Sequence, residues 1–435
     1  MKLSDIFKID FILLFSVLIL LALGILFIYS SGITSAGTLV SGEYIRQIIW
    51  ASAGTAVAIA LSMINYRRFY NLSLYIYLIS LAPLLYVSLF GTIARSTRWL
   101  RIGSFGFQTS EFVKITVIIL LARYLADTDR SNSKFTRFLV SCLIVFVPMG
   151  IVFIQPDLGT SLVFIFILLA MTFTAGVSMR YLLFMSSCIA ITGVLLVLPL
   201  WQSYIYRKTI PGLAILTNPK IILITVLFLL IIMTISLVGF RKFKKKYFYW
   251  LIYSSSILVF SIVVSYLARI ILKNYQIMRL IVFLDPYVDP RGAGWNIIQS
   301  ITAIGAGGFT GMGFLQGTQS HYRYLPEQST DFIFSIFSEE AGFLGGLVVF
   351  ALYLVINLRL IRIMKTTADS FASYICAGLA GMISFHFLIN VGMTMGIMPI
   401  TGIPLLFMSY GGSATLASMI GIGIVLSIHI RRYNR

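Results

Sequence analysis

The sequence is 435 residues long and too apolar for a soluble protein, since 59% of it is hydrophobic and only 11% is charged. Average soluble domains are about 45–50% apolar and about 25% charged. The composition therefore excludes an ordinary soluble enzyme, a disordered chain and a disulfide-rich secreted domain. A net charge of +19 would suggest nucleic-acid binding in a soluble protein. Here the basic residues lie mostly in short loops between apolar runs, which indicates membrane topology and no nucleic-acid partner.

Twelve apolar runs predict an all-α polytopic membrane protein, because a membrane-spanning helix takes about 20 apolar residues. The first run follows Lys2 and Lys8, and we interpret it as an uncleaved helix instead of a signal peptide. An even number of spans places both termini on one side, and we expect one multi-pass domain over 1–435. In chain order the candidate spans are 11–29, 45–64, 72–91, 112–126, 138–154, 160–176, 181–200, 221–240, 248–272, 332–358, 373–394 and 411–430.

The charges of the loops predict the orientation of these spans. With the N-terminus inside, the inner loops hold 19 basic residues and the outer loops hold ten. This bias favours an N-in, C-in topology. We interpret the basic run at 241–246 as a topology anchor that can also touch anionic lipid headgroups.

Residues 273–331 form the longest stretch without a convincing span, and they fall on the predicted outer side. The stretch is rich in Gly and Pro, yet it keeps apolar residues between 295 and 304 and is therefore expected to be ordered against the membrane. Long connections are usually functional or disordered, so any chemistry is expected in this outer loop. Its glycine-rich part, 305–313, lacks the G-x-G-x-x-G spacing and predicts a tight, flexible surface turn.

The fourteen acidic residues are few enough for their positions to be informative. Asp127, Asp129 and Asp369, in inner loops, are expected to be solvated. Glu339 and Glu340 fall inside a predicted span, where acids suggest either function or pairing with Arg or Lys on a neighbouring helix. Seven acids fall on the predicted outer side, namely Glu43, Glu111, Asp157, Asp285, Asp289, Glu327 and Asp331.

Asp331 opens an apolar run at the end of the outer loop. Pro326 forces a non-helical entry, and Ser329 or Thr330 can cap the helix that follows. We expect the carboxylate in the first helical turn, at the outer lipid–water boundary, where the helix dipole favours an anion. Two interpretations are open: Asp331 is a capping acid, or it is a base poised at the membrane surface.

Other catalytic signatures are missing from the sequence. It has no H-E-x-x-H motif or Cys/His cluster, no G-x-S-x-G elbow and no Gly-Lys dipeptide of a P-loop. The histidines are scattered, at His321, His386 and His429. The cysteines all lie in apolar runs, which argues against disulfides and metal sites; they are Cys142, Cys188 and Cys376. Any chemistry must therefore use an activated substrate.

Several short motifs occur along the chain in one order and resemble the shape, elongation, division and sporulation family of bacterial cell-wall polymerases. In the outer loop they are GWNIIQS (294–300), AIG (303–305), GTQS (317–320), LPE (325–327) and TDFIF (330–334). Elsewhere they are RW (98–99), Gln108 with SEF (110–112), QPDLGT (155–160), and Pro404 with SYGGS (409–413). The resemblance covers nearly the whole chain and is closer to the elongation members than to the division or sporulation members.

This resemblance implies a peptidoglycan glycosyltransferase that polymerises lipid II, a disaccharide–pentapeptide on undecaprenyl diphosphate, during cell elongation. It implies a place in the bacterial inner (cytoplasmic) membrane, among membrane lipids, with the active site facing the periplasm or exterior. The family's essential aspartate maps onto Asp331, and a partly desolvated carboxylate suits a general base for the sugar 4-hydroxyl. The implied partner is a class B penicillin-binding protein, a transpeptidase.

The diphosphate leaving group needs cations near its developing charge. The candidates are Arg98, Arg101, Lys114, Arg279 and Arg323, although each could instead contact lipid headgroups. Further substrate-binding candidates are Glu111, Asp157, Gln319 and Glu327, and Asp157 could equally do no more than close a turn. No cofactor is certain: a divalent cation, Mg²⁺ or Mn²⁺, could accompany the diphosphate, but no ligand spacing demands a metal site.

The sequence departs from the family pattern at a few positions. Ser329 stands where the family usually has His or Asn, and Thr109 and Leu406 replace common Pro residues. The family commonly has about ten spans, so we interpret 201–250 as an insertion that adds two helices. Two alternative functions are left open, a flippase for lipid-linked precursors and a non-catalytic scaffold for wall synthases. Transporters often show repeated halves, and no repeat is visible here.

Overall fold

The computed structural model of this protein describes residues 9–90, 98–102, 105–128, 133–208 and 210–432. Within them almost every element is a helix, and one antiparallel hairpin pairs β1 (Trp99–Ile102) with β2 (Phe105–Gln108). The predicted all-α, polytopic fold class is therefore confirmed.

Each of the twelve predicted spans coincides with a helix. These helices are α1 (Phe11–Ser31), α2 (Glu43–Met63), α3 (Arg67–Phe90), α4 (Thr109–Asp127), α5 (Lys134–Ile154), α6 (Leu158–Thr174), α7 (Met179–Trp201), α9 (Pro219–Phe243), α10 (Lys246–Ile271), α14 (Ile333–Thr366), α15 (Ser370–Thr394) and α16 (Gly412–Arg431). Four shorter helices are α8 (Ala214–Thr217), α11 (Asn274–Leu284), α12 (Trp295–Gly307) and α13 (Thr318–His321).

Ten of the described helices are long and apolar enough to cross a membrane. The two other predicted spans are less typical. Helix α4 carries charged residues within its apolar run, and α6 has 17 residues. Of the twelve predicted spans, ten therefore have the length and composition expected of a membrane-spanning helix, and two are shorter or more polar.

The chain forms two compact units, of which the first comprises 1–177 and 299–435. Its centre is made by α15 and α16, whose residues are mostly buried. Helix α16 packs along α2, where small residues allow the backbones to approach closely. A Cβ at Gly423 would lie 2.8 Å from the Cα of Ala58, so a larger residue would separate these two helices.

The second unit comprises residues 178–298. Within it α9 and α10 form an antiparallel pair, and α10 also packs on α7. The turn between α9 and α10 passes through Lys244, whose backbone is left-handed (φ 50°). Helix α9 exposes apolar side chains on most of its surface, as a lipid-facing helix does. The single domain, the 201–250 insertion and the N-in, C-in orientation stay predictions.

The outer loop 273–331 is partly helical, since it contains α11, α12 and α13. Its glycine-rich part forms the expected turn, and that turn is paired with a break in α14 at Gly342 (φ 65°). Amides of Phe343 and Leu344 donate to the carbonyls of Gly308 and Phe309 at 3.0 and 3.1 Å. In return, the amides of residues 312 and 313 donate to the carbonyls of residues 339 and 340, both at 3.0 Å.

Candidate active site

Asp331 lies two residues before α14, in the turn that enters the helix, and its side chain is half-buried. The predicted cap by Ser329 or Thr330 is wrong, because the N-cap of α14 is Phe332 and no side chain caps its amides; both hydroxyls donate to carboxylates. Ser329 Oγ donates to Glu43 Oε2 at 2.6 Å, and Thr330 Oγ1 donates to Glu327 Oε2 at 3.1 Å. The turn is therefore held by side-chain bonds that do not involve the α14 amides.

The main chain around Asp331 is fixed to two other segments. Asn390 Nδ2, fully buried on α15, donates to the carbonyl of Asp331 at 2.9 Å and to that of Ile403 at 2.8 Å. The amide of Tyr410 donates to the carbonyl of Ser329 at 2.7 Å. These bonds hold the turn that carries Asp331 against α15 and the segment that precedes α16.

A buried polar chain runs between α4 and α15. Lys114 Nζ lies 2.8 Å from Glu111 Oε2 and 3.0 Å from His386 Nε2, and His386 Nδ1 lies 2.9 Å from the carbonyl of Pro404. Because the ammonium can only donate, His386 Nε2 accepts and Nδ1 carries the proton given to Pro404. Lys114 and Glu111 side chains are only 1% and 2% exposed, so the ion pair is shielded from water.

This buried chain lies one helical turn from the Asp331 backbone. His386 and Asn390 are four residues apart on α15, a rise of about 6 Å on the same face. Their carbonyl partners, Pro404 and Ile403, are consecutive residues. The structure thus brings the Asp331 turn and the Glu111–Lys114 pair to successive levels of one α15 face. In this arrangement Lys114 Nζ is engaged by two protein groups, and its predicted contact with substrate stays a prediction.

Arg98 and Asp157 meet at the turn before α6. Arg98 Nε donates to the carbonyl of Gln155 at 3.3 Å, another guanidinium N–H donates to the carbonyl of Pro156, and Nη1 lies 4.0 Å from Asp157 Oδ2. Asp157 caps α6 by accepting from the Thr160 amide at 3.2 Å. The capping role of Asp157 is observed, and the side chain of Arg98, 35% exposed, remains accessible to solvent.

The hairpin β1–β2 leads into α4 at this end of the first unit. Gln108 closes the hairpin: its side chain donates to Asp157 Oδ2 at 3.2 Å, and its amide donates to Ser413 Oγ at 2.9 Å. Arg101 lies in β1 opposite Gly106, and the structure describes its main chain but not its side chain. The start of α4 is thus tied both to the cap of α6 and to the start of α16.

Glu339 and Glu340 hold the loop before α13. Glu339 accepts from the amide of Gln319 at 2.8 Å and from Thr318 Oγ1 at 3.1 Å. Glu340 accepts from the Leu315 amide at 3.0 Å and from the Ser30 hydroxyl. Of the two interpretations, pairing with Arg or Lys is not observed among the described residues: amides and hydroxyls bind these carboxylates, and Glu340 Oε1 also lies 3.7 Å from His321 Nε2. A functional role of the two acids stays a prediction.

The remaining candidates are placed less closely. Arg323 and Glu327 are exposed and both have left-handed backbones (φ 58° and 50°), so the connection from α13 to Asp331 makes two tight turns. Gln319 is half-buried beside Glu339. Arg279 lies on α11, in the second unit. Among the described residues no group of three or more His, Cys, Asp or Glu could hold a metal ion, and the divalent cation stays a prediction.

Sequence reasoning missed the residues that position the Asp331 turn. Asn390 and His386 are polar residues four apart inside an apolar span, a pattern that by itself suggests a buried function. Glu43 was counted among the outer acids without a role. Asp127 and Asp369, expected to be solvated, accept hydrogen bonds from tyrosine hydroxyls of Tyr70 and Tyr66.

The helices described above define a multi-pass membrane protein, and comparison with known proteins identifies its family. The cell cycle protein family of FtsW, RodA and SpoVE matches residues 11–220 and 204–434. The chain belongs to this family, as the motifs predicted.

Curated relatives match over nearly the full length. Peptidoglycan glycosyltransferase RodA of Treponema pallidum is 43% identical over 433 residues, which is 99% of this chain and 100% of that protein. Peptidoglycan glycosyltransferase MrdB of Escherichia coli is 32% identical over 417 residues, 95% of this chain and 92% of its own. Stage V sporulation protein E of Bacillus subtilis is 30% identical over 433 residues, 98% of each chain.

Solved structures share the fold. A chain of a peptidoglycan synthase complex that coordinates polymerization and crosslinking superposes with a TM-score of 0.66 at 24% identity, covering 98% of this chain and 99% of that one. The rod shape determining protein RodA of Thermus thermophilus gives a TM-score of 0.59 at 21% identity, with 98% of each chain covered. The protein is a multi-pass membrane protein of the same architecture.

Proposed function

We propose that this protein polymerises lipid II into glycan strands and that Asp331 is the general base. The predicted enzyme class, a peptidoglycan glycosyltransferase, is confirmed by full-length relatives that carry this name, one of them 43% identical over 99% of the chain. The observation that carries the proposed mechanism is the fixed, half-buried turn that presents Asp331 at the start of α14.

In this mechanism the carboxylate of Asp331 takes the proton of the attacking sugar 4-hydroxyl. The hydroxyl oxygen forms a bond to C1 of the activated sugar, and the bond from C1 to the diphosphate breaks, so that the diphosphate leaves with the electron pair. A diphosphate is a good leaving group and needs no general acid. The Asn390 bond to the Asp331 carbonyl supports this role, because a base must be held within hydrogen-bond reach of its proton.

Arginine side chains would bind the departing diphosphate. Arg98 is the first candidate, because its guanidinium is fixed by the turn before α6 and yet partly exposed. Arg101 and Arg323 are further candidates, since an arginine fork matches phosphate oxygens. A divalent cation, Mg²⁺ or Mn²⁺, would arrive with the diphosphate.

We further propose a place in the bacterial inner membrane, N-in and C-in, with Asp331 on the outer side. The excess of basic residues in the predicted inner loops supports this orientation. A class B penicillin-binding protein is the proposed partner, and a neighbour in fold that belongs to a peptidoglycan synthase complex supports it. The exposed apolar side of α14, which includes Phe343, Leu347 and Leu354, is the proposed contact surface for the partner's membrane helix.

The test is polymerisation of labelled lipid II by the reconstituted protein with its partner. Asp331→Asn should lower the rate of glycan formation by about 100-fold or more, since general base catalysis contributes about 10²–10⁴. Asp285→Asn is the matched control, because Asp285 is also a half-buried acid of the outer loop and only caps a turn at the Tyr287 amide. Polymer that persists in Asp331→Asn would refute the base and favour a scaffold; lipid translocation without chain growth would favour a flippase.

A further inference from the structure

The outer end of α2 carries two polar side chains that face the same neighbours. Glu43 and Gln47 are four residues apart and share a helix face. Gln47 is fully buried: its Nε2 donates to the Ser409 carbonyl at 3.3 Å and to Thr415 Oγ1 at 3.1 Å, and its Oε1 accepts from the Gly411 amide at 3.3 Å. Gln47 therefore fixes this face of α2 against the segment that enters α16.

Glu43 extends the same contact to the turn that carries Asp331. Its Oε2 accepts from Ser329 Oγ at 2.6 Å. The carbonyl of Ser329 accepts from the amide of Tyr410 at 2.7 Å, next to the residues that Gln47 holds. Ser329 is thus bound through both its side chain and its main chain, and it lies two residues before Asp331.

We propose that Glu43 is a positioning residue for the reaction, acting on Asp331 through the hydroxyl of Ser329; this rests on the proposed function of Asp331 as the base. A hydrogen bond to a carboxylate is about twice as strong as one between neutral groups. The bond from Glu43 fixes the turn on the N-terminal side of Asp331, and the bond from Asn390 fixes it at the Asp331 carbonyl. The two together fix the main chain from which the carboxylate projects.

The chemistry of the bond makes specific demands on both partners. Residue 43 must supply an acceptor, and residue 329 must supply a donor. Gln at position 43 keeps an oxygen acceptor, whereas Ala does not. Asn at position 329 keeps a donor, and this is a residue type that the family usually has at this position. A role in bulk packing would depend on side-chain volume instead of on donors and acceptors.

The experiment measures steady-state polymerisation of lipid II by the full-length protein with its partner. Glu43→Ala and Ser329→Ala should each lower kcat by about 10- to 100-fold with KM changed less than about twofold, since small misplacements of a reacting group cost rates of this order. The double variant should be no slower than the slower single variant, because each substitution removes the same hydrogen bond, the one between Ser329 and Glu43. Glu43→Gln and Ser329→Asn should recover most of the lost kcat.

A matched control removes a hydroxyl bond of the same length nearby. Thr34 Oγ1 and Thr38 Oγ1 lie 2.6 Å apart in the exposed connection between α1 and α2. Thr38→Ala should leave kcat unchanged. If Glu43→Ala does not yield folded protein, Ser329→Ala carries the same test, since it removes a single hydroxyl.

Three results would overturn the inference. They are an unchanged kcat in Ser329→Ala, losses that add in the double variant, and a Ser329→Asn variant as slow as Ser329→Ala. Failure of the proposed function is seen separately, as polymerisation that persists in Asp331→Asn. If Asp331→Asn is inactive while Ser329→Ala is as fast as wild type, only the positioning role of Glu43 is lost.

Discussion

Loss of one partner of the Lys114–Glu111 ion pair should be among the most destabilising single substitutions in the first unit. The charged atoms of the pair are 2.8 Å apart and its side chains are 1% and 2% exposed. Breaking a buried pair by removing one partner costs about 3–5 kcal/mol, because the other charge stays buried. Lys114→Met should therefore lower the free energy of unfolding by about 3–5 kcal/mol, and Glu111→Gln, which keeps an acceptor for Lys114, by about 3 kcal/mol.

The double variant separates the pair from its surroundings. Lys114→Met with Glu111→Gln should return to within about 1 kcal/mol of wild type, because neither charge is then left without its partner. Equilibrium unfolding in mixed micelles of a denaturing and a mild detergent measures the four free energies. The control is the Arg123–Asp127 pair on the same helix, at 3.6 Å and 34% and 42% exposed, whose loss should cost less than about 1 kcal/mol.

Two results would refute this reasoning. A Lys114→Met variant within about 1 kcal/mol of wild type would mean that the Glu111 carboxylate, left without its partner, is hydrated. Additive losses in the double variant would mean that the two charges do not interact. Either result would favour the other role predicted for Lys114, a contact with the substrate diphosphate.

Two further predictions concern a glycine and a tyrosine. Gly311→Ala should destabilise the protein by about 3 kcal/mol or more, because φ is +83° and the new Cβ would lie 2.1 Å from the Glu340 carbonyl oxygen. The control Gly308→Ala, at φ +53° with open space around the new Cβ, should cost about 1–2 kcal/mol. Equal costs for the two variants would contradict the clash at Gly311. Burial, followed by the charge of Asp369, raises the pKa of Tyr66 from 10.0 to about 12. The stability that the protonated phenol contributes is therefore present below pH 10 and is lost as the pH rises through about 12. Between pH 9 and 12 the unfolding temperature should fall more steeply for wild type than for Tyr66→Phe. Parallel curves of unfolding temperature against pH would contradict the assignment.

Apolar runs were sufficient to predict the helices, because a bilayer demands long apolar segments whatever their neighbours are. The partners of polar groups were not predictable in the same way. Ser329 was expected to cap α14, but its hydroxyl binds Glu43, which lies 286 residues away in the chain. Local sequence gives no sign of such a long-range partner.

The partners of Glu339 and Glu340 depended on a feature that the sequence hides. Arg or Lys was the expected partner because few other groups can satisfy an acid inside a span. The break at Gly342 opens α14 and lets the loop of residues 308–321 approach with its amides. Nothing in the composition around Gly342 distinguishes this glycine from one that continues a helix. By contrast, Asp331, Arg98 and Asp157 could be named as candidates from motifs, since their types and spacing are local.

The break at Gly342 also decides how this end of the molecule can move. Four main-chain hydrogen bonds join the glycine-rich turn to α14 across the interruption, so the two backbone segments are held together as one unit. The short outer piece of α14 cannot slide or rotate without carrying the turn and α13 with it. Any displacement of this piece of α14 is therefore shared with the loop of residues 308–321, to which its main chain is bonded.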